Sequence, residues 1–395
     1  MHARSVAAGR MAWAVLLAFI IVAAFVSSFY SWTHNTHELV LRGRYPTWYR
    51  GGHVLFDGYG DYADAIRDWI MAPQTRWPQF QRFLHEHVHA NTLIYPLLAA
   101  LVGLSGLGTV WSCFAVTLAA SVLCLYLFYL LILQRDREFG TPAKICFVAF
   151  VLHVPNLSGW CRPLPDMLAL DVLLLFFLCY RRFRESGEMR WIVLCTGLCV
   201  AGALTKSVLL LLTPLLVVLL ARNCFIAPCG SLTVRVRLSL AIAGALCVVA
   251  AAALAVSASH TPGIRFLVHS TLNALDSWRQ AGDFKLVAFG ALLFAGLSFN
   301  LYPLIAASGW KKGLAGREFE HIAWIALYLI QRFWHAGFNL GYGRARYGIP
   351  LAASALILAL PGFQKLWPNR RTRFLVFVPV AVSLVIWLYF LVTLK

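Results

Sequence analysis

The sequence predicts an all-α, polytopic membrane protein, a bundle of about ten to twelve transmembrane helices. Apolar residues make up 60% of the 395 residues, charged residues only 13%, and the mean hydropathy is +0.72. A soluble domain of this size carries roughly a quarter of its residues as charges. The apolar residues also fall into runs long enough to cross, or partly cross, a bilayer. Both observations favour lipid as the solvent of most of the chain.

The apolar runs predict one membrane domain over residues 1–395, without a soluble domain. Residues 11–30 have the length of one span and lack an A-x-A cleavage site, so we expect a retained first span. Residues 31–91 form a long loop, and residues 92–394 hold the remaining spans. These runs are 92–107, 109–133, 144–158, 164–180, 191–205, 207–221, 236–257, 284–308, 319–336, 347–362 and 374–394.

The net charge of +18 is concentrated in short loops between the apolar runs, which argues against nucleic-acid binding. Clusters of Lys and Arg between spans are typical of cytoplasmic loops. With 181–190 inside, the count of crossings predicts Lys206, 156–166 and 337–346 at the outer face. The loop 31–91 should also lie outside, because the first span follows a basic N-terminus. That requires one of 92–107, 109–133 or 144–158 not to cross fully.

The loop 31–91 is the least membrane-like part of the chain. It holds six of the 16 acidic residues and six of the 12 histidines. Tyr62, Ile66 and Trp69 share one helical face, which predicts a first surface helix. A second apolar stripe over 77–88 predicts another. Loops of this length are commonly functional.

Five segments resemble motifs of the GT-C membrane glycosyltransferases, particularly the protein mannosyltransferase and aminoarabinose transferase branches. The resemblance covers residues 11 to about 362 and rests on the order of these segments. Asp57 and Asp61 stand where an adjacent Asp-Glu pair is usual, and Asn91-Thr92 where Pro-Pro is usual. The segments are Phe56–Ala63, His89–Pro96, Arg162–Leu170, Ala203–Lys206 and Arg346–Pro350.

The resemblance implies an inverting transfer of a sugar from a polyprenyl-phosphate carrier to a glycan, lipid or protein acceptor. The expected place is the outer, periplasmic or lumenal face of a multi-pass membrane protein. The bacterial inner membrane is the first expectation and the endoplasmic reticulum the alternative. Such a reaction needs a carboxylate that takes the acceptor's proton and cations that stabilise the leaving phosphate.

Eight residues are the candidates for these tasks. Asp61 is the first candidate for the general base and Asp57 the second, the alternative being a merely solvated acidic face. The candidates for donor-phosphate binding are Lys206, Arg346 and Arg162, and those for substrate binding are Asp166, His89 and Tyr62. Lys206 could instead snorkel to water, and Asp166 could instead cap a helix. Asp171, deeper in the same apolar run, is expected to be paired or functional.

Three other interpretations follow from the same residues. The histidines of 85–89 are spaced poorly for one helix face, so a divalent metal there is the weaker alternative and no cofactor is predicted. A lipid or small-solute transporter, or flippase, is the alternative function, but inverted repeats and midplane polar residues are not recognised. A non-catalytic scaffold would leave Lys206 and Arg346 without partners.

Overall fold

The computed structural model of this chain is helical throughout the part that it describes. It describes residues 59–74, 93–160, 164–225, 284–309, 318–334 and 347–393, together with 78 and 244. Helix accounts for 85% of the structure, and the described residues contain no β-strand. The all-α prediction is therefore confirmed. The predicted run 11–30 lies outside the described residues. The run 236–257 and the second surface helix also lie outside them, except for residues 244 and 78.

Thirteen α-helices lie within these described ranges. They are α1 (Tyr59–Met71), α2 (Ile94–Gly103), α3 (Thr109–Leu133), α4 (Thr141–Val151), α5 (Val154–Gly159), α6 (Asp166–Ser186), α7 (Met189–Thr205), α8 (Leu212–Phe225), α9 (Phe284–Phe299), α10 (Tyr302–Gly309), α11 (Phe319–Trp334), α12 (Ile349–Leu366) and α13 (Val378–Thr393). Two 3₁₀ helices, Ser207–Leu211 and Arg373–Val376, precede α8 and α13.

Within the part of the chain that the structure describes, two helices are long and apolar enough to cross a membrane, over Trp111–Leu133 and Ile349–Leu366. Buried core helices of soluble proteins have the same length and composition, so the number of crossings stays a prediction. Helix α2 is only about 15 Å long and the run 144–158 is broken after Val151, whereas α3 reaches about 37 Å. Of the three runs in doubt, only 109–133 forms one helix long enough to cross alone.

The run 284–308, read from the sequence as one apolar stretch, is two helices. Asn300 has a left-handed backbone, with φ of 51°, and separates α9 from α10. Its side-chain oxygen accepts the Leu301 N–H at 2.8 Å, and its amide nitrogen donates to the Pro379 carbonyl at 2.7 Å and Ser383 at 3.0 Å. Asparagine tolerates this conformation better than most residues, and hydropathy alone carries no sign of such a break.

Helices α3, α6, α10 and α12 form the centre of the main hydrophobic core. The tightest approach joins α10 and α12. A Cβ built on Gly362 would lie 1.9 Å from the Ile305 carbonyl oxygen, and one on Gly309 would lie 2.2 Å from the Gly362 nitrogen. Glycine at both positions lets the two backbones touch, as small residues do at helix interfaces in membranes.

Helix α1 packs against α2 and the start of α3. Of the predicted apolar face, Ile66 is buried and Trp69 is partly buried there, so these two side chains meet protein rather than the membrane surface. Thr109 donates its hydroxyl hydrogen to Asp64, and Arg67 bonds the same carboxylate at 2.8 Å. Asp64 thereby joins α1 to the first residue of α3, although 41% of its side chain remains exposed.

Candidate functional site

Lys206 and Asp166 form an ion pair, with Lys206 Nζ bonded to Asp166 Oδ1. Asp166 is the first residue of α6, and Lys206 follows the last residue of α7. The two helices form an antiparallel hairpin that turns at Gly187, whose φ is 71°. Because α6 and α7 have similar lengths, the hairpin returns the chain to the level where α6 began. Two residues 40 positions apart are thereby brought into contact.

The pair is largely removed from solvent. The exposed fraction of the side chain is 4% for Asp166 and 16% for Lys206. The N-cap residue of α6 is Pro165, and it makes no side-chain capping bond, while the Asp166 carboxylate bonds Lys206 instead. The sequence left open a helix-capping role for Asp166 and a snorkelling role for Lys206. The contact between the two side chains fits a buried ion pair better than either role. A buried charge is retained only when it is paired and hydrogen-bonded.

The ring of Tyr347 lies next to this pair. Lys206 Nζ is 5.9 Å from the centre of the ring, within reach of a cation–π attraction. Tyr347 belongs to the segment Arg346–Pro350 singled out from the sequence, and it is followed by Gly348. A Cβ on Gly348 would lie 2.6 Å from Ser298 Oγ, so only glycine permits this close packing next to Tyr347 in the chain. Arg346 itself lies outside the described residues.

A second cation, Arg332, reaches the same ring from α11. Its Cζ is 4.2 Å from the Tyr347 ring centre and 5.3 Å from that of Tyr328. Arg332 Nε donates to the Tyr328 hydroxyl at 3.2 Å, and that hydroxyl donates to the Tyr347 carbonyl. Sequence reasoning missed Arg332 because 319–336 was read only as an apolar run. The available signal was an arginine one turn after a tyrosine on the same helical face.

Helix α1, the described helix of the acidic loop, belongs to the same end of the bundle, here named the Lys206 end. Helix α3 begins at Thr109, beside α1. Arg135 follows the last residue of α3 and contacts Glu320, which also pairs with Arg184 in the last turn of α6. This opposite end of the bundle is named the Arg135 end. Helices α3 and α6 therefore run in the same direction, and α1 lies near the level of Asp166. Asp61 and Tyr62 fall in the first turn of α1.

Four of the eight predicted site residues lie outside the described residues. The backbones of Asp61 and Tyr62 are placed, and Lys206 and Asp166 are in contact. The structure therefore brings together two predicted residues and adds Tyr347, Tyr328 and Arg332. The four outside the described ranges are Asp57, His89, Arg162 and Arg346.

The Arg135 end holds a second buried ionic group that the sequence did not suggest. Glu318, Glu320 and His321 offer ligand atoms within 4.8 Å of one another, a spacing that could hold a metal ion. Arg135 Nε, however, lies 3.0 Å from both Glu318 oxygens, and Arg184 lies 3.1 Å from Glu320. Two guanidinium groups inside the cluster repel a further cation, so the arrangement favours a closed ion-pair network.

Asp171 is buried one turn and one residue beyond Asp166. It is only 1% exposed, and neither carboxylate oxygen has a hydrogen-bond partner among the described residues. The predicted pairing is therefore not found within those ranges. A carboxylate in such surroundings is costly unless it is protonated or meets a partner.

The chain was compared with protein-family models, with curated proteins and with solved structures. None of the three comparisons found a match. The interpretation of the site therefore rests on its residues and geometry.

Proposed function

We propose that this protein is a GT-C-type membrane glycosyltransferase, which moves a sugar from a polyprenyl-phosphate carrier to an acceptor at the outer, periplasmic or lumenal face. The observation that carries the proposal is the contact between Lys206 and Asp166. A lysine held in a largely buried position is suited to an anionic ligand in a low-dielectric site. Both residues come from segments that resemble GT-C motifs.

The distribution of charge along the bundle supports an enzyme that works at one face. Asp166 and Lys206 mark one end of the α6–α7 hairpin, and the basic turn 181–190 marks the other. Helix α6 is about 30 Å long, which matches the thickness of a bilayer core. Basic turns favour the cytoplasm, so the Lys206 end is assigned to the opposite side.

The surface of α3 supports a lipid environment. Large apolar side chains remain exposed along it, and a patch of this kind is unusual on a soluble monomer. They are Trp111, Leu118, Val122, Leu123 and Tyr126. Lipid chains of the membrane, and of a polyprenyl carrier, are suitable partners for this face.

The proposed reaction divides its tasks between the outer loop and the hairpin. Asp61 takes the proton of the acceptor hydroxyl as its oxygen attacks the anomeric carbon of the donor sugar. The bond between that carbon and the phosphate oxygen breaks, and the bonding pair leaves with polyprenyl phosphate. Lys206 stabilises the growing charge of the phosphate, and Asp166 holds the ammonium group in position. General-base assistance of this kind is worth roughly 10²–10⁴-fold in rate.

The proposal is tested with the purified full chain in liposomes that contain radiolabelled polyprenyl-phosphate sugars and a mixture of acceptors. We expect release of polyprenyl phosphate and transfer of the sugar, both reduced at least ~10²-fold in Lys206→Met. Lys365→Met is the matched control, because Lys365 is an exposed lysine bonded to the Ser308 carbonyl at the Arg135 end of α12. Movement of intact donor lipid between leaflets without sugar transfer would overturn the proposal in favour of a flippase.

A further inference from the structure

Arg332 differs from Lys206 in how its charge is compensated. Lys206 is paired with Asp166. Within the described residues no carboxylate lies at ion-pair distance from Arg332, and its contacts there are with the two tyrosines. The cluster of Lys206, Asp166 and Arg332 therefore carries one positive charge in excess. A half-buried guanidinium without a counter-ion is most stable when an anion completes the site.

The contacts of Arg332 orient its planar group. Tyr328 lies one turn before Arg332 on α11 and accepts a hydrogen bond from its Nε. The same Tyr328 hydroxyl is bonded to the Tyr347 carbonyl, which couples α11 to the start of α12. With Nε engaged and the plane beside two rings, the terminal nitrogens are the donors left for a ligand. Guanidinium forks of this kind match phosphate oxygens in pairs.

The two cations converge on Tyr347. Lys206 Nζ and Arg332 Cζ lie 5.9 Å and 4.2 Å from the centre of this one ring. A ligand that carries a phosphate beside Tyr347 would therefore meet both charges after small movements of two flexible side chains. A neutral ligand would gain nothing from Arg332.

We infer that Arg332 is a second phosphate-binding residue of this site, held in place by Tyr328 and Tyr347, and that the ligand is a lipid-borne phosphate. This inference rests on the proposed function for the identity of the lipid. The binding of a phosphate beside Tyr347 does not depend on sugar transfer, so the two can fail separately.

The experiment measures binding, without turnover, of a sugar-free polyprenyl phosphate to the purified full chain in detergent. The neutral polyprenol and inorganic phosphate are measured in parallel. We expect Arg332→Gln to weaken binding of polyprenyl phosphate at least ~10-fold and to leave polyprenol unchanged, since only the charged ligand loses a charge-assisted hydrogen bond. The affinity of Arg332→Lys for polyprenyl phosphate should lie between those of the wild type and of Arg332→Gln, because lysine keeps the charge but lacks the planar fork.

Arg373→Gln is the matched control. Arg373 also lies over an aromatic ring, 4.8 Å from the centre of Trp367, but near the opposite end of α12. Unchanged affinity of Arg332→Gln for polyprenyl phosphate would overturn the inference, as would equal losses for polyprenol, which would indicate packing alone. Inorganic phosphate that binds as tightly as the lipid would overturn the assignment to a lipid. Binding that depends on Arg332 in a protein without transferase activity would refute the proposed function and leave this site intact.

Discussion

Lys206 and Asp166, at facing ends of two antiparallel helices, neutralise each other in a largely buried position. Removal of one partner would leave the other as an uncompensated charge. Lys206→Met alone should therefore destabilise the folded state by about 3 kcal/mol, the lower part of the range for broken buried pairs. The lower part is expected because Lys206 keeps some contact with solvent.

The double variant Lys206→Met/Asp166→Asn should recover most of that loss, because neither side chain then carries a charge. Unfolding of the purified protein in mixed micelles, followed for both single variants and the double variant, yields the coupling free energy. A coupling near zero would show that the pair contributes nothing to the hairpin.

Asp61 and Asp64 lie three residues apart on α1, and we expect their substitutions to act differently. Asp61→Asn should lower turnover at least ~10²-fold while donor binding and stability are kept, because only proton acceptance is lost. Asp64→Asn should lower stability instead, because Asp64 joins Arg67 and Thr109. Steady-state kinetics and unfolding are measured on both variants and on Asp57→Asn. Full activity in all three would remove the outer loop from the mechanism.

The contact between α10 and α12 predicts a sharp difference between two glycines. Gly362→Val should cost about 3 kcal/mol or more, because its Cβ would overlap the Ile305 carbonyl oxygen. A Cβ added to Gly197 on α7 would meet no atom within 4 Å. Gly197→Ala should therefore raise stability by about 0.5–1 kcal/mol through the better helix propensity of alanine. Equal effects at the two positions would contradict the close approach of α10 and α12.

The orientation of the bundle can be measured with two exposed serines at its opposite ends. Ser105 lies in the turn between α2 and α3, and Ser186 ends α6 beside the basic turn. In intact cells an impermeant thiol reagent should label Ser105→Cys, whereas Ser186→Cys should need permeabilised cells. The unmodified chain measures the background of native cysteines. Labelling of both variants from one side would be incompatible with a membrane between the two ends.

How far the sequence predicted this structure differs between the fold and the site. The helical runs were predictable because helices buried in protein or lipid require long apolar stretches of sequence. For the site, the segments that contain Lys206 and Asp166 were singled out individually. Their contact was not, because it depends on the similar lengths of α6 and α7 and on a turn at Gly187. The position of Arg332 over the Tyr347 ring could not be predicted, because the two residues are neighbours in space and not in sequence. The ionic network at the Arg135 end joins Arg135 to Glu318, 183 positions away, beyond the reach of local patterns.

The proposed mechanism requires a paired lysine at one membrane face for sugar transfer from a polyprenyl phosphate. The most direct measurement is the rate of polyprenyl-phosphate release from a polyprenyl-phosphate sugar, by wild-type protein and by Lys206→Met/Asp166→Asn. The double variant keeps the fold through a neutral pair, so its activity reports the chemistry of the charge rather than folding. We expect release by the wild type and a loss of at least ~10²-fold in the double variant. Equal rates for the two proteins, or the absence of release by wild type with every sugar tried, would contradict it.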